Sequence, residues 1–226
     1  MKVLVAGGAG FIGSHLVDAL LKEGHQVVCV DNFFIGTKKN IEHLSNEPRF
    51  TFYGQDICDL EAMDHIFKKE NVEYVYHLAA NSDIQASANN PVIEYQNTYT
   101  TTFNLIECMR RHQVKKLFFA STSAVYGEKM GSEVAENTTP LEPISYYGAA
   151  KLGSEALISA YSYMNDMSVL VFRFPNVIGP RLTHGVIFDF VKRLKEDPSH
   201  LRILGDGTQS KPEMHGYHLV NGIMRF

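Results

Sequence analysis

Short apolar, β-branched runs alternate with longer stretches in which apolar residues recur every three or four positions. Residues 3–5 form the first run. Positions 11–21 follow with Ile12, Leu16, Ala19 and Leu20 at helical spacing, and Gly24 stops that helix. Runs at 27–30 and 50–53 predict a second and a third strand, and a helix over 60–69 leads to a fourth strand at 74–78. The pattern over 91–112 predicts one long helix, with Pro91 suited to its first turn. A fifth strand at 116–120, a helix over 147–163 and a sixth strand at 169–172 complete the series. Such alternation predicts an α/β fold, a doubly wound parallel sheet with helices on both faces.

After residue 175 the pattern loosens. Pro and Gly punctuate 178–180, 184–185 and 205–207, with one helical stretch over 187–195. We expect a large α/β domain over 1–175 and, over 176–226, part of a smaller lobe that looks truncated.

Composition narrows the function. Of 226 residues, 45% are hydrophobic and 20% charged, an ordinary globular balance. The net charge of -4 leaves no basic surplus for nucleic acid or an anionic membrane. Cys29, Cys58 and Cys108 are scattered and form no C-x-x-C pair, which reads as reduced thiols in the cytoplasm. Residues 1–13 are apolar, but their glycines fit neither a signal peptide nor a membrane span. A soluble, cytoplasmic protein is expected.

The first chemical signal is Gly7-Gly8-Ala9-Gly10-Phe11-Ile12-Gly13, between a strand and a helix. Gly7 can turn sharply, Gly10 lets a pyrophosphate approach the backbone, and Gly13 lets the helix pack on the sheet. A glycine turn alone has a structural reading. Asp31 at the end of the second strand, where an acid can accept both ribose hydroxyls, favours dinucleotide binding in a Rossmann-type domain. Its charge repels a 2′-phosphate, and Asn32, Phe33 and Phe34 supply no cation beside it, so NAD is expected over NADP. Lys38 and Lys39 lie further along.

The second signal is Tyr147-Gly148-Ala149-Ala150-Lys151, which places a phenol and an ammonium on one helix face. The cation is expected to lower the phenol pKa towards the range of a working base. Core packing of a tyrosine can write the same spacing. Ser121-Thr122-Ser123 follows an apolar strand, so hydroxyls gather where parallel sheets bind ligands, or where loops are capped. Taken in this order, the three signals favour an alcohol–carbonyl redox site. His215, His218 and Glu213 read as a stray group near a frayed end, and no metal is expected.

These segments resemble the NAD-dependent epimerase/dehydratase family of extended short-chain dehydrogenases. The resemblance is carried by the glycine run, Asp31, His77-Leu78-Ala79-Ala80, the stretch 121–127, the Tyr147/Lys151 pair and Arg173-Phe174-Pro175-Asn176-Val177-Ile178-Gly179-Pro180-Arg181. It implies that Tyr147 takes the sugar O4 proton, that Lys151 supports it, and that Thr122 is the catalytic hydroxyl with Ser123 as fallback. It implies a cofactor set of Gly7, Gly10, Phe11, Ile12, Gly13, Asp31, Asn32, Asp56, Ile57, Leu78, Ala79, Ala80, Asn97 and Phe174, together with Tyr147 and Lys151. Ser82, Thr122, Ser123, Tyr147, Asn176 and Lys211 are the implied substrate contacts. Lys211 stands where relatives carry an Arg.

Two departures concern the far end. Relatives follow Gly-Asp-Gly-Thr-Gln with an apolar strand, which Glu213, Gly216, Tyr217 and His218 interrupt here, and relatives continue beyond this end. The activity implied is a nucleotide-sugar 4-epimerase, the sugar carried on a nucleoside diphosphate, UDP by resemblance. A decarboxylase or 4,6-dehydratase, and a non-catalytic NAD-binding module, are the alternatives. Ala124 precedes Val-Tyr-Gly where the decarboxylases and dehydratases resemble one another in carrying an acid, which favours the epimerase. The helices over 91–112 and from Tyr147 correspond to those through which relatives form a homodimer.

The cofactor reading has a direct check. Protein purified from cells should release NAD rather than NADP, and Asp31→Ala should narrow that preference. Mainly NADP in the released nucleotide would overturn it.

Overall fold

Val3, Leu4, Val5 and Ala6 have no exposed surface, because the strand they build runs near the middle of the sheet. The computed structural model describes residues 1–129, 133–203, 206–208 and 210–225; Gly205 and Gln209 of the Gly-Asp-Gly-Thr-Gln stretch lie outside them. In chain order the first half contains β1 (Lys2–Ala6), α1 (Phe11–Lys22), β2 (Gln26–Val30), β3 (Phe50–Tyr53), α2 (Leu60–Glu70) and β4 (Tyr74–His77). Next come α3 (Ile84–Ala88), α4 (Val92–Glu94), α5 (Thr101–Arg111), β5 (Lys116–Thr122), α6 (Tyr146–Asn165) and β6 (Ser168–Phe174). The last part holds β7 (Asn176–Ile178), α7 (Val186–Glu196), β8 (Glu213–His215) and α8 (Gly216–Ile223).

Six strands form one parallel sheet in the order β3-β2-β1-β4-β5-β6. The order reverses direction between β1 and β4, the switch point at which such sheets open a crevice at their carboxyl ends. Alternate side chains fill two apolar layers. Phe119, Val75 and Leu4 face α2, α5 and α6 together with Phe67, Leu105 and Ile158. Phe118, Val3 and Val5 face α1 and α8, with Leu16, Leu20 and Leu219. The expected doubly wound sheet is the observed one.

Local differences matter for the site. β5 and β6 run longer than expected, and their register sets Thr122 opposite Phe174. The long helix is interrupted by a π-helical stretch, Tyr95–Thr100, between α4 and α5. Tyr-Gln-Asn-Thr-Tyr-Thr combines β-branched and polar residues with poor helix propensity, and such π segments recur at functional sites. α8 corrects the expectation of a frayed end. His215 caps it by accepting from the Tyr217 N–H at 3.2 Å, and Leu219, Val220 and Ile223 are buried in the layer over α1. β8 meanwhile pairs in parallel with β7, Asn176 opposite Glu213 and Ile178 opposite His215. Among the described residues no helix is long and apolar enough to cross a membrane.

α8 should therefore contribute core stability. Ile223 is 1% exposed, and Ile223→Ala should cost about 2–5 kcal/mol in urea unfolding, in line with other large-to-small core changes. A cost under about 1 kcal/mol would show that α8 is not part of the core.

Candidate active site

The chain leaves β1 and turns at Gly7, where φ is +80° and a Cβ would lie 2.7 Å from the Ala79 nitrogen. Only glycine meets both constraints. A Cβ on Gly13 would strike the Gly7 carbonyl, so α1 reaches the turn only through that glycine. Gly10 is the open position. Its Cβ would meet a single atom within 4 Å, the Gly7 oxygen at 3.2 Å. Asp59 and Ser145 cap α2 and α6 with side chains, whereas α1 has no side-chain cap. The first-turn N–H groups of Phe11, Ile12 and Gly13 are thus placed to bind an anion. The Phe11 ring turns elsewhere and packs against Gly179 and Gly216.

Asp31 is buried, and its two oxygens accept from the Ala9 N–H at 2.9 Å and the Phe33 N–H at 2.8 Å. Burial pushes its carboxyl pKa up, against the pull of those two bonds. Each oxygen keeps a free lone pair for a ribose hydroxyl. Asn40 Nδ2 and the Thr37 N–H both donate to the Ala9 carbonyl, at 2.9 and 3.1 Å, which folds the following loop over the glycine turn. Asn32 Nδ2 donates to Asp56 at 3.1 Å, and Asp56 accepts from the Cys58 N–H at 2.8 Å. Asn32, Asp56 and buried Ile57 therefore sit together beside Asp31. This cradle fits the dinucleotide that the sequence predicts.

The three candidate catalytic residues converge on the end of β5. Thr122 closes the strand, and its side chain is hydrogen-bonded to Tyr147 from the first turn of α6. A Cβ on Gly148 would lie 2.8 Å from the Ala124 carbonyl, so α6 presses on the turn after β5 only because that residue is glycine. Lys151 is 1% exposed and donates to the Ala120 carbonyl at 2.6 Å. Its Nζ also lies 4.6 Å from the Phe119 ring centre and 6.0 Å from that of Tyr147. Burial lowers the Lys151 pKa to about 7, opposed by the charges of Glu94 and Glu155. Burial raises the Tyr147 pKa, and Glu94 adds to the rise. The expectation that Lys151 brings the phenol down is thus corrected for this arrangement: desolvation and the Glu94 charge outweigh the Thr122 hydrogen bond.

Below the trio, His77 is wholly buried. Thr102 Oγ1 donates to the Thr98 carbonyl at 2.8 Å, so it accepts from His77 Nε2 at 2.9 Å, which leaves Nδ1 as a bare acceptor. Burial, then the Lys151 charge, push the His77 pKa well below the usual imidazole range. The imidazole is neutral. Leu78, Ala79 and Ala80 follow it, half-buried against the glycine turn.

The other sequence candidates are less uniform. Asn97 donates to its own helix at Ile93 (3.1 Å) and lines a shallow groove with Asp56, Cys58 and Tyr95. The π turn points Thr98 inward instead. Phe174 is buried opposite Thr122, and Ser123 is exposed. Ser82 is held by His184, whose Nε2 lies 2.9 Å from its hydroxyl. Asn176 and Lys211 are exposed, and the pairing of β7 with β8 brings their segments side by side.

Sequence reasoning missed a supporting network. Ser121 donates to Glu155, which Arg173 grips at 2.7 Å through Nη2 and at 3.1 Å through Nε. Arg173 also donates to the Tyr126 hydroxyl at 3.0 Å. The Val-Tyr-Gly turn, α6 and β6 are thus fastened together behind Thr122. Alternation along β5 was the available signal, since it puts Ser121 on the opposite face from Thr122.

A hydroxyl, a phenol and a buried ammonium beside a dinucleotide cradle serve proton and hydride transfer at an alcohol carbon. Residues 3–226 match the NAD dependent epimerase/dehydratase family, and the chain belongs to it. It is 36% identical to an uncharacterized UDP-glucose epimerase of Bacillus subtilis, over 99% of this chain and 71% of that protein. The structure superposes with a TM-score of 0.91 on UDP-glucose 4-epimerase of Thermotoga maritima with UDP-glucose, at 33% identity, over 99% of this chain and 72% of that one. A UDP-glucuronic acid 4-epimerase of Bacillus cereus in complex with UDP-glucuronic acid and NAD gives 0.90 at 34% identity, over 99% and 72%. UDP-glucuronic acid decarboxylases and a dTDP-glucose 4,6-dehydratase also match.

The state of Lys151 is measurable as stability. Its pKa is about 7 in the folded protein against 10.5 for a free lysine, so between these values the unfolded chain binds more protons and stability rises with pH. Below about 7 both states are protonated and the burial penalty is fully present. The stability of the cofactor-free protein relative to Lys151→Met should therefore climb across this window, by up to about 1.4 kcal/mol per pH unit. A flat difference would mean that Lys151 is not desolvated.

Proposed function

We propose that this protein is a UDP-sugar 4-epimerase. The observation that carries this reading is the convergence of Thr122, Tyr147 and Lys151 at the end of β5, beside the cradle of Gly7, Gly10, Gly13 and Asp31. In that cradle the α1 N-terminus would hold the pyrophosphate of NAD, Asp31 the adenine ribose, and Asp56 the adenine edge. NAD, when bound, supplies the hydride acceptor and donor for the sugar carbon. Tyr147 takes the proton from O4 as that carbon is oxidised and returns it on reduction. Thr122, hydrogen-bonded to the phenol, orients O4. Lys151 provides the positive charge that favours the phenolate once the site closes on its ligands.

Inverting C4 requires the oxidised ring to present both faces in turn, so the ring must turn while the diphosphate stays held. Asn176 and Lys211, on adjacent segments, suit the diphosphate role, and Ser82 and Ser123 the ring. Residues 176–226 form in this reading the start of the nucleotide-sugar lobe, tied to 1–175 through α8. Ala124 separates the reactions. Eliminating water or carbon dioxide after the oxidation calls for a further acid–base group, and an alanine supplies no proton. Simple 4-epimerisation needs one such group, at O4.

The reading includes a cytoplasmic homodimer. Free thiols at Cys29, Cys58 and Cys108 support the compartment. Exposed Tyr95 and Phe103 on the long helix, with Tyr163 and Met164 on α6, support an assembly face.

Turnover of UDP-sugars followed by mass spectrometry tests the function. The product should keep the substrate's mass, and Tyr147→Phe should lose at least ~10²-fold in rate while retaining NAD. Loss of carbon dioxide or water would reject the epimerase, and a wild-type rate in Tyr147→Phe would remove that residue from the mechanism.

A further inference from the structure

Behind the trio lies a closed ring of hydrogen bonds that the reaction does not use. Glu94, at the end of α4, is 2% exposed, and Asn81 and Thr98 are 1% and 0% exposed. Asn81 Nδ2 donates to Glu94 Oε1 at 2.7 Å, and Thr98 Oγ1 donates to Glu94 Oε2 at 2.7 Å. The Asn81 N–H closes the ring on Thr98 Oγ1 at 3.2 Å. The ring joins the segment after Ala80 to the π-helical stretch. Both donors to the carboxylate are neutral. A buried carboxylate with only neutral donors is costly unless an opposite charge lies near.

α4 and the π-helical stretch both pack on α6, and the buried cation of that helix is Lys151. The groups that act on it are Glu94 from α4, Glu155 and Tyr147 from α6, and His77 from β4. Glu155 is already claimed by the bidentate Arg173, and His77 is neutral. Among the described residues, no other cation pairs with Glu94.

We propose that Glu94 is the counter-charge of the Lys151–Tyr147 pair, a positioning residue that sets the charge state in which the pair works. Its negative charge keeps the buried ammonium protonated near neutral pH. The same charge opposes a premature phenolate, as the upward shifts it imposes on both partners require.

The activity arm of the test rests on the epimerase reading; the other arm does not. In cofactor-free protein carrying 13Cε-lysine, the Lys151 resonance, assigned with Lys151→Met, should titrate near 7. In Glu94→Gln, which keeps the shape and loses the charge, the midpoint should fall by about one pH unit. Thr98→Val breaks the ring but keeps the carboxylate, and should leave the midpoint within about 0.3 unit, which a merely structural role for Glu94 would not predict. In turnover, Glu94→Gln should move the whole bell-shaped kcat/KM profile to lower pH by a similar amount. An unmoved Lys151 midpoint overturns the proposal whatever the activity. A moved midpoint without turnover of any UDP-sugar upholds the pairing and rejects the epimerase. If Glu94→Gln alone does not fold, the double variant Glu94→Gln/Lys151→Met should fold, since both charges are gone; a double variant that also fails to fold overturns the pairing.

Discussion

The site depends on keeping an ammonium group out of water. An isolated buried charge costs several kcal/mol, so Lys151 can stand where it does only because its surroundings were built to receive it. The Ala120 carbonyl takes one of its protons at 2.6 Å. The Phe119 ring offers its face, and two acids act from different elements. Each of these comes from the fold. Ala120 and Phe119 sit at the end of β5, which has β4 on one side and β6 on the other. Glu155 lies one turn along α6 from Lys151, locked by Arg173 of β6. Removing the sheet register would scatter the partners and leave the charge unsupported.

Backbone contact does similar work at the cofactor end. The first turn passes so near the segment after β4 that Gly7 and Ala79 almost touch, and the start of α1 sits against the Gly7 carbonyl. β1 and β4 are neighbours at the switch point, so this contact links the cradle to the strand that ends at His77 and to Asn81 in the segment beyond it. The far segment is fastened to the same helix. His15 lies 3.0 Å from the Pro180 carbonyl, and Arg181 pairs with Asp18 at 2.8 Å. α1 therefore anchors both the glycine turn and the chain that leads to Asn176.

Much of this was legible in the sequence, for identifiable reasons. A parallel sheet buried on both faces writes uninterrupted apolar runs, so the six strands and their helices stand out in the residue pattern alone. The glycine run and Asp31 are legible because steric demands at a turn leave few residue types. Helical spacing puts Tyr147 and Lys151 on one face, a pattern that core packing also writes; their roles were implied only by the resemblance to the family. Burial was not legible. The same four-residue spacing serves a solvated lysine, and only the packing of β5 under α6 shows that this one is dry. The burial of Glu94 was not legible either, because a lone acid in a helical stretch carries no signal of the side on which it lies. α8 was hidden by Gly216, Tyr217 and His218, which looked like interruptions. The buried set Leu219, Val220 and Ile223 carried the helical spacing.

The electrostatics of the trio pull in opposite directions. In the proposed reaction the base at O4 is more reactive when its phenol ionises easily, yet burial and Glu94 both hold the Tyr147 proton in place. Glu94 nonetheless supports the ammonium that a phenolate needs beside it. Replacing Glu94 by a neutral residue would free the phenol and weaken the lysine at once, so neither group can be tuned alone. The present balance keeps Lys151 close to its own titration at about 7. At that point a modest change in local charge shifts its protonation substantially. A site poised in this way leaves its phenol protonated at rest and responds to charge brought in with its ligands. That fits a base that must take and return one proton within a single catalytic cycle.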